Sequence, residues 1–229
     1  MKIEYNNYDT LVEKYLNHDL PTYKTNHPLL PRHIFRMCLI GVSNSGKTNL
    51  LINMLDNLID YDCLYIISET SDGINEYFQT LATKSNGAIN FFSNANDFSL
   101  EMLDGKKTNV IIFDDVCHNS KAQEMIASCF SLGRHHSASI MYLSQSYFKL
   151  PVFVRNNTNQ FLLFRLGQDN ALNQIHQRIG TDVSMIQFKK MYDIAVKRQK
   201  YGFLYINLLA DDLLHKFMNR FDGTFNDIL

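Results

Sequence analysis

The chain has 229 residues, 45% of them apolar, and a formal net charge of −1. That length suits one α/β domain, and the apolar share is sufficient for a buried core. No apolar run approaches the roughly 18 residues that a membrane span needs, so no membrane insertion is expected. The polar, acid-bearing start MKIEYNNYDTLVEKY lacks the charged-then-apolar order of a signal peptide, which predicts a cytosolic protein. Charge is uneven: residues 1–148 carry a net of −5 and residues 149–229 a net of +4. The C-terminal third could therefore face something anionic, although ordinary solvated charges explain the same count. Cys38, Cys63, Cys117 and Cys129 stand singly without a C-x-x-C pair, so they read as small core residues.

In chain order, a helix is expected at Tyr8–Leu16, then a loop containing Pro21, Pro28 and Pro31. A strand at Phe35–Ile40 runs into GVSNSGKT and a helix at Thr48–Ile59. Next come a strand at Cys63–Ser68, a helix at Ile74–Ala82 and a short strand at Ile89–Phe92. The apolar run Val110–Phe113 ends in Asp114-Asp115. A helix at Lys121–Leu132 leads to a strand at Ser139–Leu143, and Gln160–Leu166 forms another strand. Helices around Ala171–Arg178 and Val183–Ala195, a strand at Phe203–Leu208 and a closing helix at Asp211–Arg220 complete the pattern. Apolar strands alternating with helices predict an α/β fold, a mostly parallel sheet covered on both faces. The chain divides into an N-terminal extension (1–30), a core (31–166) and a C-terminal part (167–229).

Gly41-Val42-Ser43-Asn44-Ser45-Gly46-Lys47-Thr48 fits G-x-x-x-x-G-K-[ST], between a strand and a helix as a P-loop requires. Glycines let the loop curl and aim N–H groups at phosphate oxygens, and the helix adds its positive end. Gly41, Ser43, Asn44, Ser45, Gly46, Lys47, Thr48 and Asn49 are thus the candidate ATP-binding residues, with Lys47 on the β- and γ-phosphates and Thr48 on Mg²⁺. A P-loop also needs an acid at a neighbouring strand end. Asp114 is the candidate second magnesium residue and Asp115 the candidate base, with Glu69 held in reserve. Gln145, after the Ser139–Leu143 strand, could sense the γ-phosphate or position water, or simply bond its loop. His118, His135 and His136 lack a carboxylate at ligand spacing, which speaks against a metal site there.

No N-K-x-D segment, D-x-x-G element or arginine-rich lid is recognisable, which disfavours GTPases and nucleoside kinases. The further strand before the acidic one favours the additional-strand, RecA-like ATPases. Across roughly Arg32–Leu166 the chain resembles the viral genome-packaging ATPases of the FtsK–HerA superfamily, of the poxvirus, giant-virus and virophage type. The resemblance rests on GVSNSGKTNLL, IIFDDV, Gly133-Arg134-His135 and YLSQSYFKLPVFVRNN, in that order. Arg134 and Gln145 reproduce the eleven-residue offset between an arginine and the sensor glutamine of bacterial DNA pumps. In those pumps the second Walker B acid is usually glutamate, whereas here it is Asp115.

The resemblance implies a ring of five or six copies around double-stranded DNA, with ATP between neighbours and an arginine acting in trans. Arg134 and Arg155 are the two candidates for that finger, a surface salt bridge being the plainer reading of each. It further implies delivery of DNA into a preformed shell through a capsid vertex or portal-like partner, in the host cytoplasm, the viral factory and the virion. About 60 residues follow the core, too few for a nuclease domain. Lys189-Lys190 and Lys197-Arg198-Gln199-Lys200 could line a DNA channel or form a solvated helix face. A cellular or plasmid DNA pump or helicase, a small-molecule kinase and a nucleotide-dependent scaffold are the alternatives.

Overall fold

The structure is a computed structural model and describes residues 34–68, 88–116, 120–167 and 170–229. The helices expected at Tyr8–Leu16 and Ile74–Ala82 lie outside the described residues, as do Glu69, Cys117 and His118. The described strands are β1 (Arg36–Ile40), β2 (Cys63–Ser68), β3 (Ala88–Phe92), β4 (Asn109–Asp114), β5 (Ala138–Ser144), β6 (Gln160–Leu163), β7 (Leu204–Asn207) and β8 (Phe217–Asn219). The α-helices are α1 (Lys47–Asn57), α2 (Ser120–Leu132), α3 (Val152–Asn157), α4 (Ala171–Ile179), α5 (Met185–Tyr192) and α6 (Leu213–Lys216). Among the described residues no helix is long and apolar enough to cross a membrane.

The chain forms two compact units, one containing Phe35–Lys47 with Tyr142–Leu229 and the other Thr48–Met141. In the Thr48–Met141 unit the strand order is β3-β2-β4, followed by the start of β5. β2 pairs in parallel with both neighbours, Cys63 opposite Ala88 on one side and Asn109 on the other. β4 is buried along its whole length, as its unbroken apolar run requires. β3, read from sequence as the additional strand, stands at the end of this order and is half exposed. The entry to β4 is fixed by one buried amide. Asn109 Nδ2 donates to the carbonyls of Asp104, Lys107 and His136 at 2.9, 3.0 and 2.9 Å.

In the other unit the order runs from the end of β5 through β1, β6 and β7 to β8. β1 and β6 are parallel, with Met37 opposite Gln160 and Ile40 opposite Leu163. β7 is antiparallel to both β6 and β8. Ser184 and Gln187 form a capping box that starts α5. The helix expected over Val183–Ala195 then continues as a π-helical turn, Asp193–Lys197. Cys38, Cys63 and Cys129 are buried free thiols, and burial pushes those of Cys38 and Cys129 up to about 12.

β6 and the closing helix differ from the sequence expectation, and α3 stands where no element was expected. β6 stops at Leu163, although Phe164 N–H still reaches Ile40 O at 2.8 Å. The closing helix is confined to Leu213–Lys216, and the chain turns into β8 at Phe217. Helical periodicity loses here to an aromatic cluster. Phe221 lies 5.2 Å from Phe203 and 5.1 Å from Tyr205, and Phe217 lies 5.9 Å from Phe188. Phe217 and Phe221 are both fully buried, which an exposed helix would not permit. Replacing Phe221 by Ala removes that keystone. The variant should lose about 3–5 kcal/mol of unfolding free energy in a urea titration. A loss below about 1 kcal/mol would mean that the cluster does not hold β8.

Candidate nucleotide site

The P-loop leaves β1 under tight restraint. Gly41 N–H donates to Ser144 O at 3.1 Å, and Val42 N–H donates to Arg165 O at 2.9 Å. A Cβ at Gly41 would fall 2.6 Å from Phe164 Cβ and 3.2 Å from Arg165 O, so the strand exit admits only glycine. The loop then curls through Asn44 (φ 59°) and Gly46 (φ 101°). Asparagine and glycine are the residues that tolerate such angles. Lys47 Nζ donates to Gly41 O at 2.7 Å and to Val42 O at 3.0 Å, so the loop closes around the lysine. Ser45 Oγ is buried inside the curl without a hydrogen-bond partner among the described residues. An orphaned buried hydroxyl is costly, and a phosphate oxygen would satisfy it.

α1 starts at Lys47 with no acid in its own first turn, at the helix's positive end. Thr48 and Asn49 occupy that turn, and Asn53 Nδ2 donates to Asn49 O at 2.8 Å. Within the Thr48–Met141 unit, Asp114 ends β4, paired in register with Ser68, and is only 8% exposed. A carboxylate buried to that degree suits a bound cation. Asp115 follows at φ 52° and is half-buried. Aspartate is one of the few side chains that enter the left-handed region readily.

Gln145 is exposed and directly follows Ser144, the residue whose carbonyl holds Gly41. The glutamine and the P-loop exit are thus anchored at the same point. Arg134 lies beyond the end of α2, in the 3₁₀ turn Gly133–His136, where it is exposed. Its Nε contacts His135 Nε2 at 3.4 Å. Arg155 is placed differently. Its guanidinium carbon lies 5.2 Å from the Tyr147 ring centroid, and its buried Nε has no hydrogen-bond partner among the described residues. Arg155 and Arg178 both border a cavity of about 250 Å³ lined by Asn and Gln amides. One neighbour of the P-loop was not visible in the sequence: a Cβ on Gly46 would meet Tyr201 Cβ at 2.8 Å. Nothing in the pattern around Tyr201 marks it, because the approach joins segments far apart in the chain.

The family model for the poxvirus A32 protein matches residues 23–213. The chain belongs to the poxvirus A32 protein family. Relatives in that family include the DNA packaging protein OPG160 of Variola virus, 25% identical over 159 residues. That match covers 62% of this chain and 57% of the relative. The Monkeypox virus protein of the same name is 29% identical over 154 residues, covering 62% and 51%. The chain spans a little over half the length of the curated relatives it matches. Its fold is similar to that of the genome packaging NTPase B204 from Sulfolobus turreted icosahedral virus 2, solved in complex with AMP. That comparison has a TM-score of 0.54 at 21% identity and covers 78% of this chain and 94% of B204. The A32 family member described here is therefore a mixed α/β protein of the P-loop packaging-NTPase fold.

The left-handed turn at Asp115 can be tested apart from chemistry. Asp115→Asn tolerates the same backbone, so it should unfold within about 0.5 kcal/mol of wild type. Asp115→Val should lose about 1–2 kcal/mol, because a β-branched side chain is strained there. Equal stability of the two variants in thermal or urea unfolding would contradict the turn.

Proposed function

We propose that this chain is an ATP-hydrolysing motor subunit that moves double-stranded DNA into a preformed viral capsid. The observation that carries the reading is the P-loop, with its orphaned Ser45 hydroxyl, in a member of the A32 family. The DNA packaging role named for the OPG160 relatives and the nucleotide bound to B204 point the same way. In this reading the loop N–H groups, Ser45 and Lys47 hold the triphosphate. Thr48 and Asp114, hard oxygen donors, would hold Mg²⁺, which when bound would supply neutralisation of phosphate charge. Asp115 takes the proton of the attacking water, and Gln145 orients it. Packaging works through a ring of five or six copies docked on a capsid vertex or portal-like protein in the viral factory.

Arg134 is the trans-acting finger in this proposal, because it is exposed on a short turn. Arg155 is committed to the Tyr147 ring within its own unit, which weighs against it. γ-phosphate charge grows in the transition state, and an inserted guanidinium stabilises it.

Lys47→Ala should abolish ATP binding in a titration, since it deletes the cation at the phosphates. Unchanged ATPase in that variant would end the nucleotide-site reading. Asp115→Asn should still bind ATP but hydrolyse it orders of magnitude more slowly. Normal turnover would move the base elsewhere. Arg134→Ala should bind ATP and lose about 10³–10⁵ in hydrolysis rate. Mixed with Lys47→Ala subunits, it should recover ATPase that neither variant shows alone. Failure to recover, with mixed assembly confirmed by mass, would refute action in trans.

A further inference from the structure

The run Lys197–Lys200, read from sequence as a possible DNA contact or a solvated helix face, is exposed and makes local contacts. Lys197 Nζ binds Asp193 Oδ1 at 2.7 Å, and Arg220 Nη1 donates to Gln199 Oε1 at 3.1 Å. Lys200 Nζ sits 5.0 Å from the centroid of the adjacent Tyr201 ring. The run follows the π-helical turn Asp193–Lys197, a rare geometry that gathers at functional sites. Tyr201 itself has φ 61°, an unfavourable conformation for an aromatic residue. The chain cannot relax out of it by sliding. Gly202 N–H closes the turn on Gln199 O at 3.2 Å, and a Cβ at Gly202 would fall 2.1 Å from Ala195 O.

This constrained turn delivers the tyrosine to the P-loop. A Cβ on Gly46 would meet Tyr201 Cβ, Cδ1 and Cγ at 2.8, 2.9 and 3.0 Å. Gly46 immediately precedes Lys47 and the first turn of α1, the part of the loop built for phosphates. A nucleotide base is tied to its phosphates by one ribose, so it must settle close to that turn. Phe164, the aromatic residue that meets Gly41, is fully buried and can offer a ligand nothing. Tyr201 is only half-buried.

We propose that Tyr201 is the wall of the nucleotide site on which the base stacks, receiving the ring of a nucleoside triphosphate held by the P-loop. The proposal rests on the nucleotide reading above. A π-face accepts any base, so Tyr201 supplies affinity for a base without choosing among bases. The strained backbone fixes the ring beside the glycine. Lys200 Nζ lies over the ring, 5.0 Å from its centroid, so a stacking base would take the opposite face or displace the ammonium.

The test compares ATP with inorganic tripolyphosphate, which has the charge but no base. Binding is measured by calorimetry for wild type, Tyr201→Ala and Tyr201→Phe, two variants that keep the same left-handed backbone demand. Tyr201→Ala should weaken ATP roughly tenfold, the loss of about one stacked base, and leave tripolyphosphate unchanged. Tyr201→Phe should bind both as wild type does. Etheno-ATP fluorescence should be quenched on wild type and on Tyr201→Phe, and not on Tyr201→Ala. Equal weakening of both ligands in Tyr201→Ala would mean that the ring merely props the loop, and the proposal fails. No weakening of either also overturns it. A wild-type chain that binds neither ligand sinks the nucleotide reading itself and the wall with it.

Discussion

The site depends on how β1 ends. Its last peptide groups are taken on both sides, by Ser144 O through Gly41 and by Arg165 O through Val42. A loop tethered at its exit can spend its remaining N–H groups on a ligand instead of on its own folding. The same tether removes all space for a side chain at Gly41. The glycine follows from the neighbouring strands as much as from the phosphate. It also ties Gln145, one residue past Ser144, to the mouth of the loop.

Much of this was legible in the sequence, for a definite reason. β1, β2, β4 and β5 are buried on both faces, so they appear as short unbroken apolar runs, and their limits were read within one or two residues. The P-loop was legible because its spacing is demanded by phosphate geometry and is rarely met by chance. Asp114 and Asp115 were read as candidates because they end an apolar strand in a chain with a P-loop, although an Asp pair that caps the next turn is common chemistry at strand ends.

What escaped the sequence was decided by contacts distant along the chain. Residues 211–220 carry a helical pattern, yet Phe217 and Phe221 gain more by joining Phe188, Phe203 and Tyr205. Arg155 meets Tyr147, Lys197 meets Asp193 and Gln199 meets Arg220, contacts that no local pattern announced. Arg134 was favoured over Arg155 for its eleven-residue offset from Gln145. One is exposed on a 3₁₀ turn and the other lies against an aromatic ring.

The left-handed residue after β4 bears on how this site can evolve. Asp115 stands there at φ 52°. Glutamate is less at home at that angle, so an exchange of one acid for the other is not a single neutral step. The peptide after Asp114 would have to change conformation along with the side chain, and each change alone is a loss. The side chain at this position is thus constrained by the backbone that carries it.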